Sequence, residues 1–329
     1  MQFRLRDLLV ATVVLAGMGA LVLPAIQASR EAARRTTCAN NLKQLGLGIH
    51  NYHDTFKRIP PASTGKDAAP RIGWQVRILP FTEQSPLYDQ LNMKLPNLPA
   101  ESFDMWNGPK GGPGHIEHFN LTAEIQYPYE VCPDDHRASV TNGYAQTSYS
   151  GNLGSQNTAS GSADCQPFDV AGIHFETARG SVLFGDTDDK HQLSGIFSRQ
   201  TYEPITFADV LDGTPYTFAA GEILGDCHPN ETGWWDVDGA GNAHASTSVP
   251  LNTKTTCVRS RREAMNRGYF MPQCFDQSNT NFSWGFRSNH PSGANFLLCD
   301  GSVVFINNEV DYTAYQRYGG RADTMSSEQ

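Results

Sequence analysis

Residues 8–56 read LLVATVVLAGMGALVLPAIQASREAARRTTCANNLKQLGLGIHNYHDTF, and this stretch decides the fold. Its first nineteen residues, 8–26, carry no charge. At about 1.5 Å per residue, a helix of that length measures about 28 Å, close to the roughly 30 Å hydrocarbon core of a bilayer. The sequence therefore predicts a membrane-spanning helix over residues 8–26, with the lipid bilayer as its partner.

The helical pattern continues beyond the apolar run. Apolar side chains recur there at steps of three and four residues, namely at Leu42, Leu45, Ile49, Tyr52 and Phe56. This spacing places them on one stripe of an α-helix. Because Pro60 and Pro61 forbid continuation, we expect one helix from residue 8 to about residue 54, apolar in its first half and one-sided in its second.

A cleaved secretory signal is the alternative interpretation of the first residues. Arg4 and Arg6 would form its basic start, and Ile26-Gln27-Ala28 its cleavage site. The apolar stretch is longer than the usual run of about seven to fifteen residues, and the site lacks a small residue at its first position. We therefore favour a span that stays uncut.

Length and charge set the remaining bounds. The chain has 329 residues, of which 39% are hydrophobic, so the part beyond the helix is large enough to bury a core of its own. A net charge of −9 argues against a nucleic-acid partner. We divide the chain into a tail and span at 1–28, an amphipathic continuation at 29–58 and a globular domain at 59–329.

The globular part is predicted to be rich in β-structure. Short β-prone runs are separated by glycine, asparagine and aspartate, at 73–81, 181–187, 194–200, 205–210, 216–223, 294–299 and 302–307. They predict an antiparallel sheet with long loop insertions at 104–118 and 226–281. The pair Asp300-Gly301 lies between two such runs and predicts a hairpin with a two-residue turn.

The N-terminal residues resemble those of pilins. Phe3, Leu5 and Asp7, followed by Leu-Leu-Val, are similar to the prepilin signature Phe-Thr-Leu-x-Glu-Leu-Leu, and Pro24 stands where type IV pilins and pseudopilins carry a helix-kinking proline. The chain departs from that pattern at Gln2, where prepilins carry the glycine after which prepilin peptidase cuts. This departure argues against processing by that peptidase.

A second resemblance extends over nearly the whole chain. Residues 25–61 look like the start of a bacterial family of unknown function, whose members are exported pilin-like proteins with an H-X9-DG motif near the C-terminus. His290, followed after nine residues by Asp300-Gly301, reproduces that motif. Segments 131–135, 147–152 and 205–222 are similar to further landmarks of the family in the same order.

The resemblance implies an α+β fold of the type IV pilin or pseudopilin kind, in which the second half of the N-terminal helix packs on an antiparallel sheet. It also implies a single-pass protein of the inner membrane, with a large C-terminal domain outside the cytoplasm. Other pilin-like or secretion-system subunits would be its partners. The resemblance supplies neither an enzymatic activity nor a cofactor.

Charges near the span argue for the opposite orientation. Basic residues follow the span closely, at Arg30, Arg34, Arg35 and Lys43, and the positive-inside rule would keep that side in the cytoplasm. We nevertheless favour export, on the family resemblance and the cysteines.

Asp7 keeps a carboxylate where pilins have glutamate. The alternative interpretation of this carboxylate is an interfacial ion pair with Arg4 or Arg6.

The cysteines favour disulfides over a metal. The chain has seven, and no C-x-x-C spacing occurs among them, so a zinc ribbon is disfavoured. Cys38 lies on the amphipathic helix, and Cys132 precedes a proline turn that could pack against it. We therefore predict a Cys38–Cys132 bridge, with Cys257–Cys274 as a second pair across a loop.

Several polar clusters carry side chains that could bind a metal. His50, His53 and Asp54 could share one helix face, but polar packing at the helix end is the favoured interpretation. Two segments, 186–191 and 236–239, carry aspartates as calcium loops do, yet neither keeps the order of an EF-hand. We therefore assign no metal, no cofactor and no catalytic residue.

The H-X9-DG motif itself has a structural and a binding interpretation. In the first, His290 hydrogen-bonds a backbone group or Asp300 and so fixes the Asp300-Gly301 corner. In the second, the motif binds a ligand. The structural interpretation is favoured.

Two functions follow as expectations. The leading one is a membrane-anchored, pilin-like envelope protein with a structural or assembly role. The alternative is a membrane-tethered binding module for carbohydrate or another solute, suggested by Trp106, Trp234 and Trp235 on polar loops. No G-x-S-x-G motif and no catalytic cysteine context is present, so an enzyme is not expected.

Overall fold

The computed structural model describes most of the helix and the sheet. The described residues are 5–61, 73–91, 125–136, 140–141, 144–156, 190–197, 203–224, 245–253 and 279–322, with Phe168, Trp234, Arg262 and Asn266. The predicted strand at 181–187 and the insertion at 104–118 lie outside them, as does most of the insertion at 226–281.

Helix α1 runs from Leu5 to Phe56, which confirms the predicted long helix. Lys57 then adopts a left-handed φ of 56°, and its N–H donates to the carbonyl of His53 at 2.7 Å. The helix therefore ends at Phe56, four residues before Pro60. Of the described helices, α1 is the one that is long and apolar enough to cross a membrane.

The two halves of α1 lie in different surroundings. In the first half the large apolar side chains that the structure describes are 43–78% exposed, namely Val13, Val14, Met18, Leu21, Val22, Leu23 and Ile26. In the second half the apolar stripe is at most 5% exposed, namely Cys38, Leu42, Leu45, Ile49 and Tyr52. The predicted stripe is thus confirmed up to Tyr52, whereas Phe56 is 52% exposed and does not belong to the core.

Within the described residues the sheet has five strands, in the order β5-β3-β4-β6-β7. Its strands are β3 (Tyr149–Gly154), β4 (Phe218–Glu222), β5 (Ala245–Ser246), β6 (Gly293–Leu298) and β7 (Val303–Asn307), and a separate two-stranded pair is formed by β1 (Val140–Thr141) and β2 (Tyr144–Ala145). The pairing of β5 with β3 is parallel and the other pairings are antiparallel. The predicted purely antiparallel sheet is therefore wrong at this edge.

Shorter helices accompany the sheet, namely α2 (Trp74–Ile78), α3 (Ser85–Tyr88), α4 (Thr280–Ser283) and α5 (Tyr312–Gly319). Two of the predicted strands are helical instead. Residues 73–81 form α2 and a 3₁₀ turn at Leu79–Phe81, and residues 205–210 contain a 3₁₀ turn at Phe207–Asp209.

Residues 73–81 carry the alternating pattern of a strand although they form helical turns. Trp74, Val76 and Ile78 alternate with polar residues as they would on a half-buried strand. In the structure Gln75 and Arg77 between them are buried as well. Both find hydrogen-bond partners inside the protein, since Gln75 donates to Glu130 at 3.3 Å and Arg77 donates to the carbonyl of Pro61 at 2.9 Å.

The sheet separates two cores. Leu297 of β6 faces α1, where Gly46 permits close contact because a Cβ there would lie 2.7 Å from the Leu297 side chain. Phe296 faces the other side, where it stacks on Phe218 at 4.1 Å between ring centroids and meets Tyr315 of α5. This alternation is that of a strand buried on both faces.

Candidate functional site

The imidazole of His290 lies in a cluster of carboxylates between α1 and the sheet, with its side chain 1% exposed. Its Nδ1 lies 2.6 Å from Oε1 of Glu31 and 3.2 Å from Oδ2 of Asp134. On the other side of the ring, Nε2 lies 3.5 Å from Oε1 of Glu222 and 3.8 Å from Sγ of Cys132. The ring therefore joins three chain segments that are distant in sequence.

Separate elements hold the three carboxylates. Glu31 lies on α1, just beyond the exposed apolar half of the helix. Asp134 lies in a tight turn in which Asp135 N–H donates to the carbonyl of Cys132 at 2.9 Å. Glu222 ends β4 and is fixed because the backbone N–H and the amide of Asn295 each donate to it at 2.8 Å.

Arg34 completes the cluster one turn after Glu31. Its guanidinium contacts Oε2 of Glu31 at 2.5 Å and Oδ1 of Asp134 at 2.8 Å. Each of these two carboxylates therefore turns one oxygen toward Arg34 and its other oxygen toward Nδ1 of His290. These paired contacts fix the orientation of both carboxylate groups.

Burial and charge act in opposite directions in this cluster. Burial disfavours the charged form of His290, but the hydrogen bonds to Glu222 and Glu31, with the charges of Glu222 and Asp134, outweigh it and raise the pKa of the ring. Burial likewise disfavours the charged form of Glu31, and contacts with His290 and Arg34 outweigh it and lower the pKa of that carboxyl. The cluster thus favours a cation at the ring and anions around it.

A disulfide lies directly beside the cluster. Cys38 and Cys132 are bonded, with their Cα atoms 4.9 Å apart, and this is the pair predicted from the sequence. A cavity of about 10 Å³, enough for about one water, lies next to it between Cys132, Glu222 and Arg287. Cys257 and Cys274 lie outside the described residues, and Cys299 is a buried free thiol.

The other end of the H-X9-DG motif is a hairpin tip. Leu298 N–H donates to the carbonyl of Ser302 at 2.8 Å, and Gly301 N–H donates to the carbonyl of Leu298 at 3.0 Å. These bonds close a three-residue loop, in which Gly301 takes a left-handed φ of 85°. The predicted two-residue turn is wrong because the glycine ends a longer loop.

His290 does not hydrogen-bond this corner, so that prediction is wrong as well. The six residues of β6 separate His290 from the corner, and at about 3.3 Å per residue they span about 20 Å. The histidine at the corner is His50 of α1. It hydrogen-bonds the backbone of Cys299, and its Nε2 would lie 3.3 Å from a Cβ on Gly301.

The other predicted sites give a mixed result. His50 and His53 both pack on the ring of Phe207, with centroids 4.5 and 4.6 Å apart, and Asp54 is exposed. Both rings thus pack at the end of the helix, and the absence of a metal there stays a prediction. The aspartates of both calcium-like segments lie outside the described residues.

The residues that surround His290 were not singled out from the sequence. Asp134 and Glu222 lie in segments 131–135 and 205–222, and the resemblance of these segments to family landmarks was the available signal. Glu31 lies on α1 among other charged residues, with no local feature that distinguishes it. Only the fold brings the three carboxylates together.

Comparison with protein families matches nearly the whole chain, as does the resemblance noted in its sequence. The model of the family SBP_bac_10, described as "Protein of unknown function (DUF1559)", matches residues 27–313, which is most of the chain. Comparison with curated proteins and with solved structures found no match. The chain therefore belongs to the DUF1559 family, whose function is unknown.

Proposed function

We propose that this chain is a single-pass, membrane-anchored envelope protein of pilin-like architecture, with its globular domain outside the cytoplasm. Its role in this proposal is structural or assembly-related, with no catalytic activity. Other pilin-like or secretion-system subunits are the proposed partners.

The contrast between the two halves of α1 carries this proposal. The uncharged run 8–26 measures about 28 Å as a helix, close to the roughly 30 Å core of a bilayer, and its described large side chains from Val13 to Ile26 are exposed. The stripe from Cys38 to Tyr52 is instead buried against the globular domain. In water such an apolar surface would be costly, and in lipid it is favourable. The same helix thus serves as anchor and as core element.

The disulfide supports the proposed orientation. A Cys38–Cys132 bond joins α1 to the globular domain, and structural disulfides persist in oxidising compartments outside the cytoplasm. The inner membrane is the proposed location because a domain held there on the outer side meets such a compartment.

A matched pair of substitutions tests the anchor. Met18 and Leu47 are both exposed apolar residues on α1, at 50% and 61%, but Met18 lies within the proposed span and Leu47 beyond it. Met18→Arg places a charge near the bilayer centre, at a cost of about 2.5 to 3.5 kcal/mol. We expect Met18→Arg to reduce the membrane-bound fraction and Leu47→Arg to leave it unchanged in fractionated cells. Equal fractions for both variants would contradict the anchor.

The native N-terminus and protease accessibility test the rest. We expect mass spectrometry to find a start at Met1 or Gln2, and protease added to spheroplasts to digest the globular domain. A start at Ser29 would show a cleaved signal, and one at Phe3 would show prepilin processing. A domain that protease reaches only after lysis would overturn the orientation.

The alternative of a tethered binding module gains no support from its predicted aromatic platform. Trp234 is fully buried, and its indole N–H donates to the carbonyl of Ile125 at 2.8 Å. Trp106 and Trp235 lie outside the described residues. We therefore retain the anchored structural protein as the proposal.

A further inference from the structure

Two groups of side chains around His290 have the composition of a metal site. In each group the ligand atoms lie within 4.8 Å of one another, and the groups are Glu31, Asp134 and His290, and Cys38, Cys132, Glu222 and His290. The disulfide removes the two thiolates that the second group would need. The first group keeps all of its ligand atoms.

We propose that Oε1 of Glu31, Oδ2 of Asp134 and Nδ1 of His290 bind one divalent transition cation of the zinc type, with water as the fourth ligand. This site goes beyond the proposed membrane role and does not depend on it. It lies just beyond the exposed apolar half of α1, so the cation would link the anchor helix to the globular domain.

The three ligand atoms lie close enough together to share one ion, since all of them lie within 4.8 Å of one another. Two carboxylate oxygens approach Nδ1 of His290, at 2.6 and 3.2 Å. In a tetrahedral zinc site with ligands at about 2.0 to 2.1 Å, ligand atoms lie about 3.3 Å from one another. The separation from Asp134 already fits, and Glu31 needs to move by less than about 1 Å.

The surroundings hold these ligands as metal sites usually require. A ligating histidine normally donates its other ring N–H to a carboxylate, and Glu222 lies 3.5 Å from Nε2 of His290. Arg34 contacts the outer oxygens of Glu31 and Asp134, which leaves the inner oxygens directed at Nδ1.

Charge and access also fit a divalent ion. With a neutral ring, the three carboxylates balance a divalent cation and the guanidinium of Arg34. The side chains of Glu31 and Arg34 are 22% and 39% exposed, so an ion can enter from that side. A nitrogen ligand favours zinc-type ions over calcium, which prefers oxygen ligands.

Calorimetric titration of the full chain with ZnCl₂ tests the proposal. The protein is purified in detergent without reductant, its free thiols are alkylated, and metal is removed with EDTA. We expect one Zn²⁺ per chain, and millimolar CaCl₂ should not displace it. His290→Ala and Glu31→Gln should weaken binding at least 100-fold, and Glu222→Gln by about 10- to 100-fold.

His53→Ala is the matched control, because it removes a histidine from α1, the helix that carries Glu31, at a position outside the cluster, and should leave the affinity unchanged. Glu31→Gln keeps the test valid if His290→Ala does not fold, since Glu31 is partly exposed and the amide keeps its shape. In addition, Co²⁺ bound to the wild type should give visible absorption bands that Glu31→Gln lacks. Absence of zinc binding by the wild type, unchanged binding by Glu31→Gln, or an equal loss in His53→Ala would overturn the site.

Discussion

The two ends of the H-X9-DG motif lie ten residues apart in the chain and in opposite surroundings. His290 is buried, and its partners come from α1, from the loop at 131–135 and from β4. Asp300 is exposed, and its Oδ1 accepts from the N–H and hydroxyl of Ser302, two residues away. The His290 side chain thus makes long-range contacts, whereas the hydrogen bonds of the Asp300 side chain are local.

This difference shows that the spacing of the motif reflects the length of a strand rather than a contact between its ends. β6 runs between the two positions, so each end of the strand is secured separately against α1. His290 contacts Glu31 near the start of the buried half, and the Gly301 corner contacts His50 near its end. Substitutions at the two ends should therefore differ in size and should act independently.

The largest expected effect is loss of the disulfide at the His290 end. The bond closes a loop with a sequence separation of 94 residues, which predicts about 4 to 5 kcal/mol of stabilisation in the chain-entropy model. We expect the double variant Cys38→Ala, Cys132→Ala to lose that amount in urea unfolding followed by tryptophan fluorescence. Cys299→Ala, which removes a buried free thiol, is the control and should cost less. A double variant as stable as the wild type would show that other contacts hold this end.

The next effect is that of His290→Ala in metal-free protein. The substitution leaves Glu31, Asp134 and Glu222 facing one another without the ring between them, and breaking a buried charge pair costs about 3 to 5 kcal/mol. Unfolding in urea with EDTA present measures this cost. If His290→Ala lost less than the Asp300→Ala variant described below, the two ends would not differ as the structure indicates.

Gly301→Ala should have a moderate effect at the hairpin tip. Gly301 has a φ of 85°, and a left-handed conformation costs a residue with a side chain about 1 to 2 kcal/mol. Gly301→Asn is the matched control, because asparagine tolerates this conformation better while it places a Cβ at the same point beside His50. An equal cost for alanine and asparagine would mean that the contact with His50, rather than φ, limits this position.

Much of the helical part of the fold could be predicted from the sequence, because its signals are local. The period of the stripe from Leu42 to Tyr52 and the prolines at 60–61 define α1 without reference to the rest of the chain. Strand β3 gave no such signal, because its polar residues are buried with distant partners. Asn152, for example, donates to the carbonyls of Phe218 and Gly319 at 2.9 and 2.8 Å.

The candidate site was predictable only in part, because its residues come from distant parts of the chain. The motif identified His290, and Cys38 and Cys132 were paired from their positions. The carboxylates of Glu31 and Glu222 come from segments almost two hundred residues apart, and no local pattern reports such a contact. The corner was assigned to the wrong histidine because spacing along the chain was taken for proximity in space.

The smallest expected effect is that of Asp300→Ala, and it gives the most direct test of independence. The variant loses the local hydrogen bonds to Ser302 at an exposed site, so it should cost about 0.5 to 1.5 kcal/mol. Because no contact joins Asp300 to the His290 cluster among the described interactions, the double variant with His290→Ala should cost the sum of the two, within about 0.5 kcal/mol. His50→Ala is the comparison variant, since His50 lies beside the corner and interacts with Asp300, and its effect should not be additive with that of Asp300→Ala. Coupling of Asp300 with His290 instead of His50 would restore the interpretation in which His290 secures the corner.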